Sequence, residues 1–422
     1  MSMKRLTEKI TDIYVSALLL VYPLWTGPSG YADITRAKWL CYCTLTALWA
    51  LALAAAIIAR RERPRADRAF AAALTALLLW AVLSFVLSGS GVGAMGYFYD
   101  GLLPLALYAL TALGVMAYGV MKKRYVYLMA ISSALCCALA VPQLMGFNPL
   151  GLYPEGYNYY GAGLYYSGAF LGTMGNTNIL GAYLAVSAAL VGYAAVKYGG
   201  RDLLLLIPAA FAALIILLAK SEAGLVGIGA AALIGIPYYV NKRNKKAGWL
   251  ALLAELALCL AALTVIYFYE PPGGTLYELH CVLHGDIQDS FGSSRVAIWR
   301  EALRVFSESP VTGGGPGSFG ALSTLDFERF VEESGLTLRT HADSAHSDLL
   351  SCLAALGAPG ALLAAAAAAA PLRRGLPGPA ALALTAYLAQ GLFSTGSVFT
   401  LPIAAALAAL ATGGDAKIPP GK

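Results

Sequence analysis

The chain has 422 residues, of which 59% are hydrophobic and only 12% are charged, and its formal net charge is +6. Soluble domains carry about 25% charged residues, so this composition excludes a soluble enzyme and a secreted disulfide scaffold. Repeated apolar runs of about 20 residues are each long enough to cross a bilayer. The sequence therefore predicts an all-α, polytopic membrane protein, and its basic excess indicates topology rather than binding to nucleic acid.

Twelve apolar segments are predicted to cross the membrane as helices. Because their number is even, both termini lie on the same side. Placing the termini inside assigns 21 of the 29 Lys and Arg residues to cytoplasmic loops, where such residues accumulate. We therefore expect cytoplasmic termini and helices at residues 10–26, 38–59, 69–88, 100–120, 125–146, 174–196, 203–219, 222–240, 248–269, 346–370, 378–395 and 397–412.

This layout divides the chain into three regions. Residues 1–269 form a membrane domain with helices 1–9, and residues 346–422 form helices 10–12 with a short cytoplasmic tail. Between them, residues 270–345 form a long extracytoplasmic loop that contains short helices. All four histidines lie in or beside this loop. Function usually lies on loops held by a rigid scaffold, so we place the candidate active site there.

A second extracytoplasmic loop, residues 147–173, is rich in Tyr and Gly and contains no Lys or Arg. Tyrosines collect at bilayer interfaces, where one edge of the ring is apolar and the other is wet. An interfacial belt and a sugar-stacking surface both remain open for this loop.

The long loop contains an amphipathic helix that Ser293 or Ser294 is expected to cap. Arg295 projects from its apolar face, where a cation needs an anionic partner or a wet cavity. Its guanidinium either snorkels or pairs locally, or it binds a phosphate or pyrophosphate. At about 100° per residue the apolar face holds Val296, Trp299, Ala302, Leu303 and Phe306, and the opposite face holds Arg300, Glu301, Arg304 and Glu308.

A glycine-rich stretch, residues 312–320, follows this helix. No strand precedes it, so neither a dinucleotide fingerprint nor a P-loop is indicated. The stretch is either a plain tight turn or a nest of backbone N–H groups that holds an anion.

The loop ends at His346, where the tenth helix begins. A neutral imidazole is the natural general base near neutral pH, and Asp343 precedes it by three residues, in a position to orient the ring. A structural, hydrogen-bonded histidine is the alternative. A metal site with His341 is disfavoured, because the spacing of five residues suits one helix face poorly and no third ligand is near.

These residues resemble the O-antigen ligase and polysaccharide polymerase superfamily of bacterial membrane proteins. Residues 173–181 also resemble the Gly-Asn-x-Asn entry to a middle helix, with Asn176 and Asn178. Ser347 stands where the family has Asn, and Lys220 stands near Glu222 where members often carry Ser-Arg-Gly. The resemblance in the long loop and the following helix rests on Arg295, Trp299, Pro310, Gly313, Gly315, Gly317, Phe319, Ala345, His346, Gly357 and Gly360.

The resemblance implies a metal-independent, inverting transferase at the outer face of the bacterial cytoplasmic membrane, which uses no cofactor. The donor would be a glycan on undecaprenyl pyrophosphate, and the acceptor a hydroxyl of a glycan, glycolipid or protein. In that scheme His346 accepts the acceptor's proton and Arg295 stabilises the pyrophosphate leaving group. The further candidates for substrate binding are Lys220, Arg36, Lys38, Arg339, His341, Asn176 and Asn178.

Two other functions remain open. A polysaccharide polymerase would use the same kind of donor but join it to another lipid-linked repeat unit. A flippase or transporter for lipid-linked oligosaccharides would instead show intramembrane charges and related halves. Glu255 is the plainest ionisable residue within a predicted span, and the sequence shows no convincing internal repeat, so an enzyme is favoured.

Overall fold

The computed structural model describes residues 6–60, 62–97, 99–164, 166, 168–331, 336–375 and 378–413. Within them the regular secondary structure is helical, apart from two small antiparallel strand pairs. The helices are α1 (Leu6–Leu24), α2 (Ile34–Arg60), α3 (Arg68–Leu87), α4 (Leu102–Tyr118), α5 (Lys123–Leu144), α6 (Thr177–Tyr198), α7 (Leu206–Leu218), α8 (Glu222–Arg243), α9 (Lys245–Phe268), α10 (Gly274–Leu283), α11 (Phe291–Glu308), α12 (Phe319–Leu322), α13 (Asp348–Gly375), α14 (Pro379–Gly391) and α15 (Leu401–Thr412).

The two strand pairs both lie in loops. Strand β1 (Phe170–Leu171) pairs with β2 (Gly175–Asn176), and β3 (Asp326–Val331) pairs with β4 (Leu336–His341). Neither pair was predicted, but they are small enough that the all-α class is confirmed. Three 3-10 segments complete the secondary structure at Gly30–Asp33, Ala162–Leu164 and Gly200–Leu205.

The helices match the predicted membrane segments in order. Each of the twelve predicted segments falls on one of α1–α9 or α13–α15. The chain is a multi-pass membrane protein, while the count of twelve spans stays a prediction because α4, α14 and α15 have only 17, 13 and 12 residues. Among the described residues, eight helical segments are long and apolar enough to cross a bilayer: Gly30–Ala59, Arg68–Leu87, Lys123–Leu144, Thr177–Tyr198, Gly200–Leu218, Glu222–Arg243, Lys245–Phe268 and Asp348–Arg373.

Hydroxyl groups tie α1, α2 and α4 together inside the main core. The hydroxyl of Tyr14 lies 2.9 Å from Thr46 Oγ1 and 2.8 Å from Thr111 Oγ1. The same threonine lies 2.7 Å from the hydroxyl of Tyr42. Because a bilayer interior supplies no water, buried polar groups of this kind need partners within the protein. The network therefore fixes the mutual register of the three helices.

Helix α9 differs from its neighbours because most of its surface is exposed. No residue in its most apolar 18-residue window is buried, although it packs against α8 and α10. An apolar helix that protein covers so little faces lipid. This helix leads directly into residues 270–345, which form α10, α11, α12 and the hairpin β3–β4.

Helix α13 is broken at Gly357, whose φ of +66° is a left-handed conformation. The break frees backbone carbonyls of the preceding turn. The N–H of Gly314 donates to the carbonyl of Ala354 over 2.9 Å, and that of Gly315 donates to Ala355 over 2.8 Å. The glycine-rich stretch therefore docks on the broken helix. Since these two N–H groups are occupied, an anion nest at this position is not supported.

Two further hydrogen bonds pair backbone groups around the break in α13. The indole Nε1 of Trp80 on α3 donates to the carbonyl of Leu356 over 2.7 Å. On the far side of the kink, the N–H of Ala358 donates to the carbonyl of Pro310 over 2.9 Å. The chain just after α11 is thereby fastened to the middle of α13, which fixes the segment that carries Arg295 relative to the segment that carries His346.

Candidate functional site

Helix α11 begins with a left-handed turn. Gly292, Ser293 and Ser294 have φ values of +62°, +58° and +65°, and the N–H of Ser294 donates to the carbonyl of Ser290 over 2.9 Å. The prediction that a serine side chain caps this helix is wrong, because no side-chain cap is formed. The regular helix starts at Arg295, and the unusual turn sets the direction in which this side chain leaves the backbone.

The buried face of α11 is rotated from the predicted one. Ile298, Ala302 and Val305 are buried, whereas Leu303 is 49% exposed. Glu301, which was predicted on the opposite face, is also buried. Its carboxylate has hydrogen-bond partners in Arg304 and in the segment after α12. These partners allow Glu301 to be buried, and with it the rotated face of the helix.

The Glu301 carboxylate holds the segment after α12. It accepts two hydrogen bonds of 2.8 Å from the Arg304 guanidinium and one of 2.5 Å from the backbone N–H of Thr324. These contacts, above all the one with Arg304, lower the pKa of Glu301 to about 2. Arg304 also donates to the carbonyl of Leu322 over 2.8 Å. The pair therefore joins α11 to the start of the hairpin.

Arg295 is largely buried, with 13% of its side chain exposed. Its Nη1 donates to the carbonyl of Gly292 over 2.9 Å and lies 3.7 Å from Oε2 of Glu222 at the start of α8. Its Nε is buried and has no hydrogen-bond partner within the described residues. The local ion pair predicted as one alternative is present, but it leaves part of the guanidinium fork unused.

Trp299 lies one helical turn after Arg295 on the same face. Its Nε1 is likewise buried without a partner in the described part of the chain, and its ring centroid lies 5.9 Å from that of Phe393. Buried donors are almost always paired in folded proteins. Two neighbouring unpaired donors therefore indicate a place for acceptor oxygens from a ligand.

His346 lies in the short segment between β4 and α13, and its φ is +46°. Its backbone N–H donates to Ser344 Oγ over 3.4 Å, but no hydrogen bond to the imidazole is found among the described residues. The prediction that Asp343 orients the ring is therefore wrong. Burial, together with the positive charge of Arg295, lowers the pKa of His346 to about 4, so the imidazole is neutral at neutral pH.

The structure thus brings together the two residues predicted to be catalytic. The charge of Arg295 acts on the imidazole of His346, although the two residues are 51 positions apart. Lys220 is exposed at the turn between α7 and α8, two residues before Glu222, which contacts Arg295. Arg295 is the residue that links the α7–α8 turn to the histidine segment.

Left-handed backbone conformations cluster in the segments that carry Arg295 and His346. Five non-glycine residues in the described ranges have a positive φ, and four of them, Lys220, Ser293, Ser294 and His346, belong to this site; the fifth is Tyr99. Left-handed conformations cost free energy for residues with a Cβ, and they cluster at functional sites. The site therefore combines unpaired donors, a neutral imidazole and strained backbone.

Residues 207–365 match the family described as O-antigen ligase. This stretch is an O-antigen ligase domain. It begins in α7 and ends within α13, so it contains Lys220, Arg295 and His346. The resemblance predicted from the sequence is confirmed, and the family is one of glycan-transferring membrane enzymes. No curated protein matches the chain.

Two other candidates inside the ligase domain have local partners. His341 Nδ1 lies 2.7 Å from Asp326 Oδ1, and its Nε2 lies 2.8 Å from the carbonyl of Gly320. Arg339 pairs with Oδ2 of the same aspartate over 2.5 Å. The hydrogen bond to Asp326 raises the pKa of His341. Both side chains fasten the hairpin β3–β4, and neither has a contact with Arg295 or His346.

Four candidates lie outside the ligase domain. Lys38 is fully buried, and its Nζ donates to the carbonyls of Tyr22 and Pro23 at the end of α1, both over 2.8 Å. Arg36 is exposed on the first turn of α2. Asn176 caps α6 by accepting the N–H of Asn178 over 2.9 Å. The structure gives Lys38 and Asn176 structural contacts and does not join any of the four to the ligase-domain site.

Several residues beside the site of the ligase domain were missed. Asp348 opens α13 and accepts a hydrogen bond from the N–H of Gly396, and Asp100 and Ser318 lie nearby in the fold. An aspartate at the entry to an apolar span is a signal that the sequence did contain. Within the described residues no group of three His, Cys, Asp or Glu side chains is arranged to hold a metal ion.

Proposed function

We propose that the chain transfers a glycan from a polyprenyl pyrophosphate donor, undecaprenyl pyrophosphate in bacteria, to an acceptor hydroxyl. The observation that carries this proposal is that the charge of Arg295 acts on a neutral His346 inside the ligase domain. Arg295 and Trp299 offer two buried unpaired donors, and a guanidinium suits the oxygens of a pyrophosphate. Transfer of a glycan from a pyrophosphate donor needs a base for the acceptor hydroxyl and a cation for the departing pyrophosphate.

The reaction is a single inverting displacement. The acceptor oxygen attacks the anomeric carbon of the donor while the bond between that carbon and the pyrophosphate oxygen breaks. His346 takes the proton of the acceptor hydroxyl, and its low pKa in the free enzyme keeps it ready as a base. Binding of the anionic donor next to the imidazole would raise that pKa towards neutrality.

Arg295 stabilises the negative charge that develops on the departing lipid pyrophosphate. Lys220 supplies a second, mobile cation, because it is exposed at the adjacent α7–α8 turn. This scheme needs no metal, nucleotide or other cofactor. Arg36, Lys38, Arg339, His341, Asn176 and Asn178 have no step in it.

The proposed location is the outer face of the bacterial cytoplasmic membrane, with both termini inside. The distribution of Lys and Arg supports this orientation, as does the single polar segment between α9 and α13 that contains Arg295. Of the basic residues that set this orientation, Lys4, Arg5, Arg61, Lys417 and Lys422 lie outside the described residues. Fluorescence of reporters fused to either terminus tests the orientation.

The experiment that tests the function compares His346→Ala with His284→Ala. His284 is exposed directly after α10, its Nδ1 lies 2.9 Å from the carbonyl of His280, and it has no part in the proposed chemistry. In membranes supplied with lipid-linked donor, His346→Ala should abolish transfer while donor binding and protein abundance stay near normal. Near-normal transfer by this variant would remove the histidine from the mechanism.

A second function, polymerisation of lipid-linked repeats, uses the same site and differs only in the acceptor. The glycan made by a deletion strain separates the two. Free lipid-linked polymer accumulates when a ligase is missing, whereas single repeats reach the surface when a polymerase is missing. A flippase is separated by reconstitution in liposomes, since it moves the lipid-linked glycan across the bilayer instead of consuming it.

A further inference from the structure

A long cavity lies on the other side of the segment that carries His346. It has a volume of about 370 Å³ and runs between α3, α4, α13, α14 and α15. Ser344, Ala345 and Asp348 line it, whereas His346 itself does not. The short segment before α13 therefore presents its histidine towards Arg295 and its neighbours towards this cavity.

The cavity is long and narrow, as a site for a hydrocarbon chain would be. Along α13 its lining extends from Asp348 to Ala368. A helix rises about 1.5 Å per residue, so this wall is at most about 30 Å long, and the break at Gly357 shortens it. The upper limit is close to the hydrocarbon thickness of a typical bilayer. Away from its polar end the wall is apolar and built by residues such as Leu74, Leu77, Ala364, Ala367 and Ala404. A hydrocarbon chain fits a narrow space of this kind.

The polar end has a distinct chemistry. Three carboxylates, those of Asp100, Asp343 and Asp348, line it together with hydroxyl groups, and none of the lining residues is Lys, Arg or His. The carboxylates would repel a phosphate or pyrophosphate headgroup. Their oxygens can accept hydrogen bonds from the hydroxyl groups of a sugar.

An unpaired hydroxyl provides a second observation. Ser318 is completely buried, lines the cavity, and its Oγ has no hydrogen-bond partner among the described residues. A buried hydroxyl in that state lacks a polar partner that a ligand would supply. It lies at the end of the glycine-rich stretch, at the polar end of the cavity.

We propose that this cavity binds a lipid with an uncharged, hydroxyl-bearing headgroup, such as an alkyl or acyl glycoside, and that this lipid is the acceptor. The identification as acceptor rests on the proposed function, whereas the binding does not. The donor pyrophosphate would lie on the Arg295 side of residues 343–348, and the acceptor headgroup on the aspartate side. His346 lies on the segment that separates the two.

Binding is tested with the full-length protein in nanodiscs and a dodecyl glucoside that carries a diazirine in its alkyl chain. We expect photolabelling of peptides from α3, α13 and α15, and competition by unlabelled dodecyl maltoside. The variant Ala367→Trp fills the cavity and should reduce labelling at least about fivefold. Ala254→Trp, on the exposed helix α9, is the matched control and should not change it.

The headgroup is tested with two further comparisons. Asp343→Asn and Ser318→Ala should each weaken labelling by the glucoside probe. Because these substitutions are small, they still test the site if Ala367→Trp does not fold. A phosphatidylglycerol probe with the same diazirine should label these peptides poorly. Equal labelling by both probes, or labelling that Ala367→Trp and Asp343→Asn both leave unchanged, overturns the proposal.

Two results keep this inference separate from the proposed function. His346→Ala should retain labelling by the glucoside, because the histidine does not line the cavity. In a transfer assay, Asp343→Asn should raise the KM for a glycolipid acceptor without changing the KM for the donor. Labelling without this KM effect would keep the lipid site but reject its role as the acceptor site.

Discussion

Glu222 at the start of α8 faces Arg295 at the start of α11, with 3.7 Å between Oε2 and Nη1. The same carboxylate accepts a hydrogen bond from the hydroxyl of Thr275 on α10. The cation proposed to bind pyrophosphate is therefore partly neutralised when no donor is present. An incoming anion has to compete with Glu222 for the guanidinium.

Glu222→Gln removes that competition while it keeps the shape of the side chain. Glu222 is 44% exposed, and exposed ion pairs contribute only about 0–1 kcal/mol. We therefore expect the KM for the lipid-linked donor to fall by about two- to fivefold, more at low salt than at high salt. An increase in this KM would instead assign Glu222 a role in positioning Arg295.

Replacement of Arg295 by Lys tests the guanidinium fork. Lysine keeps the charge but loses the planar, two-pronged geometry, so we expect transfer to fall by about 10²-fold, nearly as far as with Ala. Arg300→Lys on the same helix is the matched control, since Arg300 is 59% exposed and pairs with Asp289 at the surface. Its rate should stay within about twofold. A fully active Arg295→Lys protein would show that a point charge is sufficient.

The pH dependence of transfer tests the state of His346. Its pKa in the free enzyme is lowered to about 4 by burial and by Arg295. A base must be deprotonated to act, so kcat/KM should be level between about pH 5 and pH 8 and should fall as the pH drops through about 4. Measurement of kcat/KM across this range, with protein stability followed in parallel, checks the prediction. An acidic limb near pH 6.5 would indicate an unperturbed histidine.

Gly357→Ala tests the break in α13. An added Cβ would lie 2.2 Å from the carbonyl oxygen of Val311, and φ is +66°. We expect a loss of about 1–3 kcal/mol in stability, seen as a lower thermal midpoint in detergent, and a reduced rate of transfer. Gly229→Ala in α8 is the control, because nothing lies within 4 Å of its added Cβ. It should be neutral or slightly stabilising. Equal midpoints for the two variants would contradict the structural role of the break.

The sequence was sufficient for the features that depend on local pattern. Apolar runs predicted α1–α9 and α13–α15 in order, and an amphipathic period predicted α11. The motifs predicted Arg295 and His346 as site residues, and their roles stay a proposal. The buried face of α11 differs from the predicted face because Glu301 is buried. Its charge is paired with Arg304, and it accepts a hydrogen bond from the backbone of Thr324, which lies beyond the helix. Hydrophobic periodicity alone cannot show that a carboxylate has found such partners.

The same reason explains the other differences. Lys38 resembled an exposed cation near a loop, but the carbonyls of Tyr22 and Pro23 enclose it. Asn176 resembled a substrate-binding residue but caps α6, since the strand pair β1–β2 places its side chain beside the first turn. The partners in these contacts are brought together by the tertiary fold or by the geometry of a turn. Neither can be predicted from a local sequence pattern.

The docking of the glycine-rich stretch on α13 has a consequence for how related chains can vary. Backbone hydrogen bonds from Gly314 and Gly315 to α13 close the base of the segment that follows. These bonds use main-chain atoms, but the docking needs glycine, because a Cβ at Gly314 would lie 2.2 Å from Leu322 Cδ1 and Gly315 has a φ of +96°. The hairpin β3–β4 extends from this closed base, so insertions or deletions at its tip leave the spacing of Arg295 and His346 unchanged. We therefore expect changes of length at this hairpin to be tolerated in related chains as long as Gly314 and Gly315 are kept.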